Sequence, residues 1–399
     1  MNVFNGRRAK RLVLSLLATG LALAAGCTAV HSSPAADRVM PLGQTSFEQY
    51  VQETTDWIAK HRHFVTENPA EELAFQLPFE IRPAHPNGKG ILLIHGFTDS
   101  PFNFRDLGEY FARHGYLVHA VILPGHGTKP EDMLYARYED WKRVVAEQTA
   151  ILTKEVDEVY LAGFSTGGNL AIHEAYRNDA VDGLLLFSPA PAIRTSLVRL
   201  VPLVSLFTDW LKKPDEKTAD VMPQRYRNAP LPALQAFAYS MDESYDDVAS
   251  RPYAKPVLAF LAENDSIVDT QKLLALFQKQ FTSPDSRFIW YGTQLPESVD
   301  ASDARITVRT DYLPREHIRS FSHLGLVFSP ENPWYGCNGK NRFCLRGQSD
   351  ENREKCHKGE DLWYGSWRED RDNHPYARLS FNPYFDWQAG LIVNVLNRL

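Results

Sequence analysis

The run Val159-Tyr160-Leu161-Ala162 leads into Gly163-Phe164-Ser165-Thr166-Gly167-Gly168 and then into a helical pattern from Asn169 to Tyr176. A strand, a Gly-x-Ser-x-Gly turn and a helix in that order constrain this chain more than any other stretch. The turn is so tight that its flanking positions accept only hydrogen as a side chain, which accounts for Gly163 and Gly167. The pattern predicts Ser165 exposed above a sheet, with a helix N-terminus beneath it, in the posture of a nucleophile. Glycine and serine are common, so the pentapeptide alone says little; its context gives it force.

Upstream, Gly90-Ile91-Leu92-Leu93-Ile94 is apolar without alternation, as a strand buried on both faces of a parallel sheet requires. The turn His95-Gly96-Phe97-Thr98 after it would bring the Phe97 N–H near Ser165. With the Thr166 N–H it would form a two-donor pocket for the oxyanion of a tetrahedral intermediate. One such donor is worth about 3 kcal/mol of transition-state stabilisation. His95 precedes the turn and reads as a brace for this loop, not as a catalytic group.

An acid and a base are then needed, in the chain order Ser, Asp/Glu, His. Pro256 to Leu261 is a strand, and Ala262 to Asp269 is the loop after it. Asp265 fits the acid, on the expectation that Ile267 and Val268 begin a buried element. Asp269 reads as the N-cap of a helix from Thr270 to Phe281, and Glu263 is the alternative acid. Among the late histidines His317, His323, His357 and His374, only His323 sits among small and apolar residues, Ser320-Phe321-Ser322-His323-Leu324-Gly325. A histidine near its ordinary pKa can take the serine proton and return it to a leaving group.

Strands and helices alternate from Gly90 to Phe187: Ile91–Ile94, Phe104–His114, Leu117–Ile122, Tyr138–Lys154, Glu158–Ala162, Gly168–Arg177 and Gly183–Phe187. Strands resume at Val257–Leu261 and Arg287–Tyr291, and Tyr384–Leu399 reads as a closing helix. The alternation predicts an α/β fold with a mostly parallel central sheet flanked by helices. Ser46 to His61 has helical spacing, with Ser46 as N-cap, and is expected to pack on the body.

These motifs resemble the α/β-hydrolase superfamily, in particular its bacterial carboxylesterase and monoacylglycerol lipase (lysophospholipase-like) branch. The residues that carry the likeness are His95-Gly96-Phe97-Thr98, Pro124-Gly125-His126-Gly127, Asp140-Trp141, Gly163 to Gly168, and Leu186-Phe187-Ser188-Pro189-Ala190. The resemblance implies Ser165 as nucleophile, Asp265 as acid, His323 as base, and Phe97 and Thr166 as oxyanion donors. It also implies cleavage of carboxylic esters through an acyl-serine intermediate, with no metal or organic cofactor. Lysophospholipids and thioesters are alternative substrates for the same triad. A non-catalytic envelope interaction protein is the reading from another class. The chain departs from the pattern in a longer interval between Asp265 and His323 and in a Cys-rich insertion after His323.

Arg7, Arg8, Lys10 and Arg11 precede the apolar run Leu12 to Ala25, followed by Gly26-Cys27. A basic region, a short apolar region and small residues before a cut form a secretory signal. Cysteine at the cut makes it a lipoprotein signal, with residues 1–26 removed and Cys27 lipidated. The run is shorter than the roughly 20 apolar residues of a membrane span. In a Gram-negative cell, Thr28 in place of an aspartate points to the outer membrane, facing periplasm or surface. Residues 27–45 read as a tether, and 46–399 as the hydrolase domain. A net charge of −6 gives no electrostatic footprint for nucleic acid, and the oligomeric state is left open. An oxidising compartment permits one disulfide among Cys337, Cys344 and Cys356; their spacing does not resemble a zinc site completed by His357.

Residues 191–255 break the alternation and are expected to form a cap over the site. Within it Ser196 to Trp210 is apolar nearly all round and predicts a buried cap helix, with contact to lipid as the sharper alternative. Residues 329–375 form a second insertion, rich in Trp and Cys. Its aromatics would either rim the substrate cleft or build a small disulfide-pinned core.

Overall fold

The apolar runs become the central strands of an eight-stranded sheet in the computed structural model, which describes residues 39–399 apart from 196, 197, 199, 214–221 and 368–373. The strands are β1 (Phe79–Ile81), β2 (Lys89–Ile94), β3 (Leu117–Val121), β4 (Glu158–Phe164), β5 (Val181–Phe187), β6 (Val257–Ala262), β7 (Arg287–Tyr291) and β8 (Ile306–Arg309). Their order is β1-β3-β2-β4-β5-β6-β7-β8. Only β1 runs antiparallel to its neighbour; every other pair is parallel. β3 and β6 are buried at every residue, as strands covered on both faces must be. The expected fold class is the observed one. β1 and β8 lie at the edges and were not anticipated; with three and four residues they carry too little pattern to read.

The chain moves from β2 to β3 on one side and then returns to place β4 on the other. Such a reversal opens a crevice beyond the carboxyl ends of the two strands. β2 and β4 pair in register, with Ile94 opposite Gly163, so the turn after one lies beside the turn after the other. Two apolar layers cover the sheet, one containing Trp141, Leu161 and Trp290, the other Phe104, Tyr160, Phe260 and Phe321.

The helix Phe47–His61 has Ser46 as its N-cap, accepting from Gln49 N at 3.2 Å. It buries Phe47, Tyr50, Thr54 and Ile58, one helical face. The Tyr50 hydroxyl donates to Ile122 O at 2.9 Å and accepts from Ile122 N at 3.0 Å, fastening the helix to the end of β3. Arg62, just past this helix, forms a buried pair with Glu72 and donates to Gly127 O and Pro223 O. Glu72 also accepts from Val65 N and Thr66 N, so neither charge is left without partners in the interior.

Between β5 and β6 the segment expected to be a cap holds the long helix Leu231–Ser250. Among the described residues of Ser196 to Trp210 there is no long buried helix. The α-helix there is the single turn Val201–Val204, and Leu203, Leu206, Phe207 and Leu211 lie at the surface, Phe207 at 84% exposure. Pro202 removes a backbone donor early in that segment, and an all-round apolar sequence has no polar face to fix its orientation.

Within the second insertion β9 (Phe343–Cys344) and β10 (Trp363–Gly365), with β11 (Tyr376–Arg378) directly after it, form a separate sheet in the order β10-β11-β9. Cys344 is bonded to Cys356, and Cys337 is free and exposed. Cys356, Leu362 and Ala377 make a satellite core. Tyr335 stacks on Phe328 and Trp334 meets Phe75 edge-on, so these two aromatics serve as packing groups. The closing helix spans Phe385–Leu396. Among the described residues no helix is long and apolar enough to cross a membrane; Leu12 to Ala25 and Cys27 lie outside them.

Candidate active site

Ser165 stands between β4 and the helix Thr166–Ala175 with φ 54° and ψ −114°. This is left-handed territory that a residue with a side chain enters at a cost of about 1–3 kcal/mol, and only when its surroundings force it. The surroundings here are contacts too close for side chains. A Cβ on Gly163 would fall on the Gly167 carbonyl, and one on Gly167 would fall on the Ile94 carbonyl oxygen. Ser165 N donates to Phe187 O at 3.0 Å, locking the turn to β5. Asn169, one turn into the helix, accepts from Ala190 N at 2.9 Å and donates to Ala190 O at 3.1 Å. Its amide also reaches Ser240 of the cap helix at 3.2 Å.

Asp265 and His323 meet although 58 residues separate them: His323 Nδ1 lies 2.6 Å from Asp265 Oδ2. Both are buried, and Asp265 Oδ1 accepts from Ile267 N at 2.8 Å and Val268 N at 3.0 Å. Burial pushes the Asp265 carboxyl up, but the charge and hydrogen bond of His323 and the two amide donors outweigh it and hold the group below its ordinary value. In the neutral ring an ionised Asp265 keeps the one proton on Nδ1, which leaves Nε2 able to receive another. His317, His357 and His374 are all exposed. Asp269 caps the helix Thr270–Gln280 through Lys272 N, and Glu263 accepts from Thr293 N. Ile267, expected to be buried, is 41% exposed; Val268 alone enters the core.

The turn after β2 is held by two histidines. Leu123 N donates to His95 Nε2 at 3.0 Å, and His95 Nδ1 lies 2.8 Å from Gly96 O. Thr98 N donates to His126 Nε2 at 3.1 Å, and His126 Nδ1 lies 3.1 Å from Leu123 O. Each ring accepts at Nε2 and is therefore neutral, with its proton on Nδ1. His95 is the brace the sequence indicated, and His126 is a second one. The Phe97 ring packs near Trp141 and the cap residue Phe237. Thr166 opens its helix, where N–H groups lack intrahelical partners.

Burial holds the His126 ring down to about 4 and His95 well below its ordinary value, where His126 adds to the effect. The unfolded chain binds these protons below about pH 6.5, whereas the folded chain refuses them until far lower pH. Stability is therefore full above about 6.5 and falls toward pH 4, by up to about 1.4 kcal/mol per pH unit for each ring. Urea midpoints should drop across this window, and less steeply in His126→Gln. Equal slopes in the two proteins would remove His126 as a source of acid sensitivity.

Sequence reasoning missed Asp311, a buried carboxylate that accepts from Phe321 N at 3.2 Å and so holds the His323 loop. Burial pushes it up to about 6. It also missed Arg225 and Arg378. No motif flags any of the three, because their partners are distant in sequence. Among the described residues one His and carboxylate cluster has metal-ligand spacing, Glu80, His119 and Glu155. Arg82 bridges both carboxylates at 2.7 Å, so that edge-strand cluster is already neutralised. An apolar pocket lined by Ile172, Leu186, Pro189, Leu273 and Phe277 includes no member of the Ser165, Asp265 and His323 set.

Residues 91–302, from β2 to just before β8, match the sequence model of the alpha/beta hydrolase family. The chain belongs to that family. A thermostable monoacylglycerol lipase of Bacillus sp. (strain H-257) is 30% identical to this hydrolase over 192 residues, 47% of this chain and 75% of the lipase. A carboxylesterase of Bacillus subtilis (strain 168) is 26% identical over 210 residues, 51% of this chain and 82% of the esterase. Among solved structures, one from a pair of metagenome-derived lipolytic enzymes is 24% identical with a TM-score of 0.47, covering 54% of this hydrolase and 86% of that chain. The family match ends before His323, so that residue and the second insertion lie beyond it.

Proposed function

We propose that this hydrolase cleaves carboxylic esters, acyl esters of lipid type among them, through an acyl-serine intermediate. The observation that carries the reading is the 2.6 Å contact of His323 Nδ1 with a buried, ionised Asp265 in a chain whose Ser165 occupies a strained elbow. Ser165 Oγ attacks the ester carbonyl while His323 Nε2 takes its proton, and Asp265 stabilises the imidazolium. The oxyanion is received by Phe97 N–H and Thr166 N–H. His323 returns the proton to the alcohol, which departs; water then attacks the acyl-serine by the same route, releasing the acid. The names of the two Bacillus relatives support an ester substrate.

A fluorophosphonate probe tests this directly. It should label the chain from Thr28 onward at Ser165 and leave Ser165→Ala unlabelled. Absence of label on the folded parent would overturn the acyl-serine mechanism and favour an interaction protein on a hydrolase fold.

We also propose that Cys27 carries lipid and tethers the enzyme in the cell envelope, on the support of the basic and apolar segments before it. In the producing cell, Cys27→Ala should move the protein from the membrane fraction to the soluble one. Unchanged fractionation would remove the anchor.

A further inference from the structure

The acyl-serine chemistry leaves one buried cation unused. Arg378, the last residue of β11, is 8% exposed. Its Nε donates to Ser322 Oγ at 3.3 Å, and Ser322 directly precedes His323. Its Nη2 is buried with no hydrogen-bond partner among the described residues. A second guanidinium comes from the segment before the cap helix: Arg225 Nε lies 3.3 Å from Asp99 Oδ1, and its Nη2 donates to Thr98 Oγ1 at 3.4 Å. Thr98 follows the oxyanion-loop residue Phe97. Arg378 thus adjoins the base, and Arg225 adjoins the oxyanion loop.

The two cations lie within each other's field, and Arg378 also feels Asp99 and Asp265. Burial, with the charge of Arg225 adding to it, pulls Arg378 down to about 9. Neither nearby carboxylate is free for Nη2. Asp99 is engaged by Arg225 and by Asn103 Nδ2 at 3.1 Å. Asp265 is taken up by His323, Ile267 and Val268. A buried charge with an unmet donor is costly unless an anion completes it. The planar fork of a guanidinium matches a carboxylate or a phosphate with paired hydrogen bonds.

We propose that Arg378, assisted by Arg225, forms an anion subsite beside the triad that holds a carboxylate or phosphate carried by the ester substrate. The inference rests on the ester-hydrolase reading and narrows its substrate class. An anionic group on the acyl side would come from a half-ester of a dicarboxylic acid; on the alcohol side it would be a phosphate on the glycerol.

Two matched substrate pairs test the subsite and separate the sources: p-nitrophenyl hemiglutarate against p-nitrophenyl valerate, and 1-hexanoyl-glycerol 3-phosphate against 1-hexanoyl-glycerol. In the parent, kcat/KM for the charged member of one pair should exceed that of its neutral partner at least tenfold, and the pair that shows the preference names the source. In Arg378→Met the ratio should fall to about one, with partial recovery in Arg378→Lys. A ratio taken within one sample is independent of the folded fraction. If Arg378→Met does not fold, the parent's ratio and competitive inhibition of valerate hydrolysis by glutarate or inorganic phosphate decide. Ratios at or below one in the parent overturn the proposal, as does a preference that survives in Arg378→Met. Fluorophosphonate labelling of the same samples reads the serine chemistry separately, so a labelled enzyme with no charge preference would sink the subsite alone.

Discussion

Ser165→Ala will lower kcat for ester hydrolysis roughly 10⁶-fold, the loss typical when the nucleophile of a serine triad is removed. The fold will survive, because alanine carries the same Cβ into the same φ of 54° and loses only the hydroxyl. The backbone contacts that hold the elbow, Ser165 N to Phe187 O and the Asn169 clamp on Ala190, do not involve the Ser165 side chain. The measurement is kcat with a p-nitrophenyl ester beside a thermal melt of the same preparation. A residual rate of roughly 10³–10⁴ over water would be ordinary, since the oxyanion donors remain. A drop of less than about tenfold would mean that Ser165 is not the nucleophile, since removing the nucleophile of a triad typically costs far more.

Asp265→Asn will lower kcat by about 10⁴-fold with little change in structure. The asparagine can still lie against His323 Nδ1 and still accept from Ile267 N and Val268 N through its oxygen. That oxygen is then committed to the two amides, so the amide NH₂ faces the ring and donates to Nδ1. The imidazole proton moves to Nε2, which then cannot accept from Ser165, and no negative charge remains to stabilise an imidazolium. Steady-state kcat and the rate of fluorophosphonate labelling should fall together. If both are unchanged, another carboxylate serves His323; Glu263, which accepts from Thr293 N, would be the first to replace.

The sequence made the sheet, the elbow and the turn after β2 legible because each is a local pattern. An unbroken apolar run means a strand covered on both faces, and glycines at fixed offsets mean a turn with no room for side chains. The Asp265 to His323 pairing was legible by a different route: chain order, and the exclusion of histidines set among charges. His126 stood in a quoted motif, yet its role as acceptor for Thr98 N needs the fold, since 28 residues separate them. Asp311, Arg225 and Arg378 were invisible for the same reason. The cap segment misled because apolarity predicts burial only when another surface is there to bury it. Leu203, Leu206 and Phe207 have no such surface among the described residues, and the single turn Val201–Val204 ends before it can choose a face.

The loop that carries His323 owes its position to residues that come much later in the chain. Ser322 Oγ donates to Leu379 O at 2.6 Å, and Gln388 Nε2 donates to Leu326 O at 2.8 Å. Gln388 belongs to the closing helix. A growing polypeptide can therefore complete the elbow, the turn after β2 and the Asp265 loop while the His323 loop still lacks the anchors that aim it. On the proposed reading, the base stays unaimed until Leu379 and Gln388 have been made, so ester cleavage must wait for residues far beyond the three that perform it.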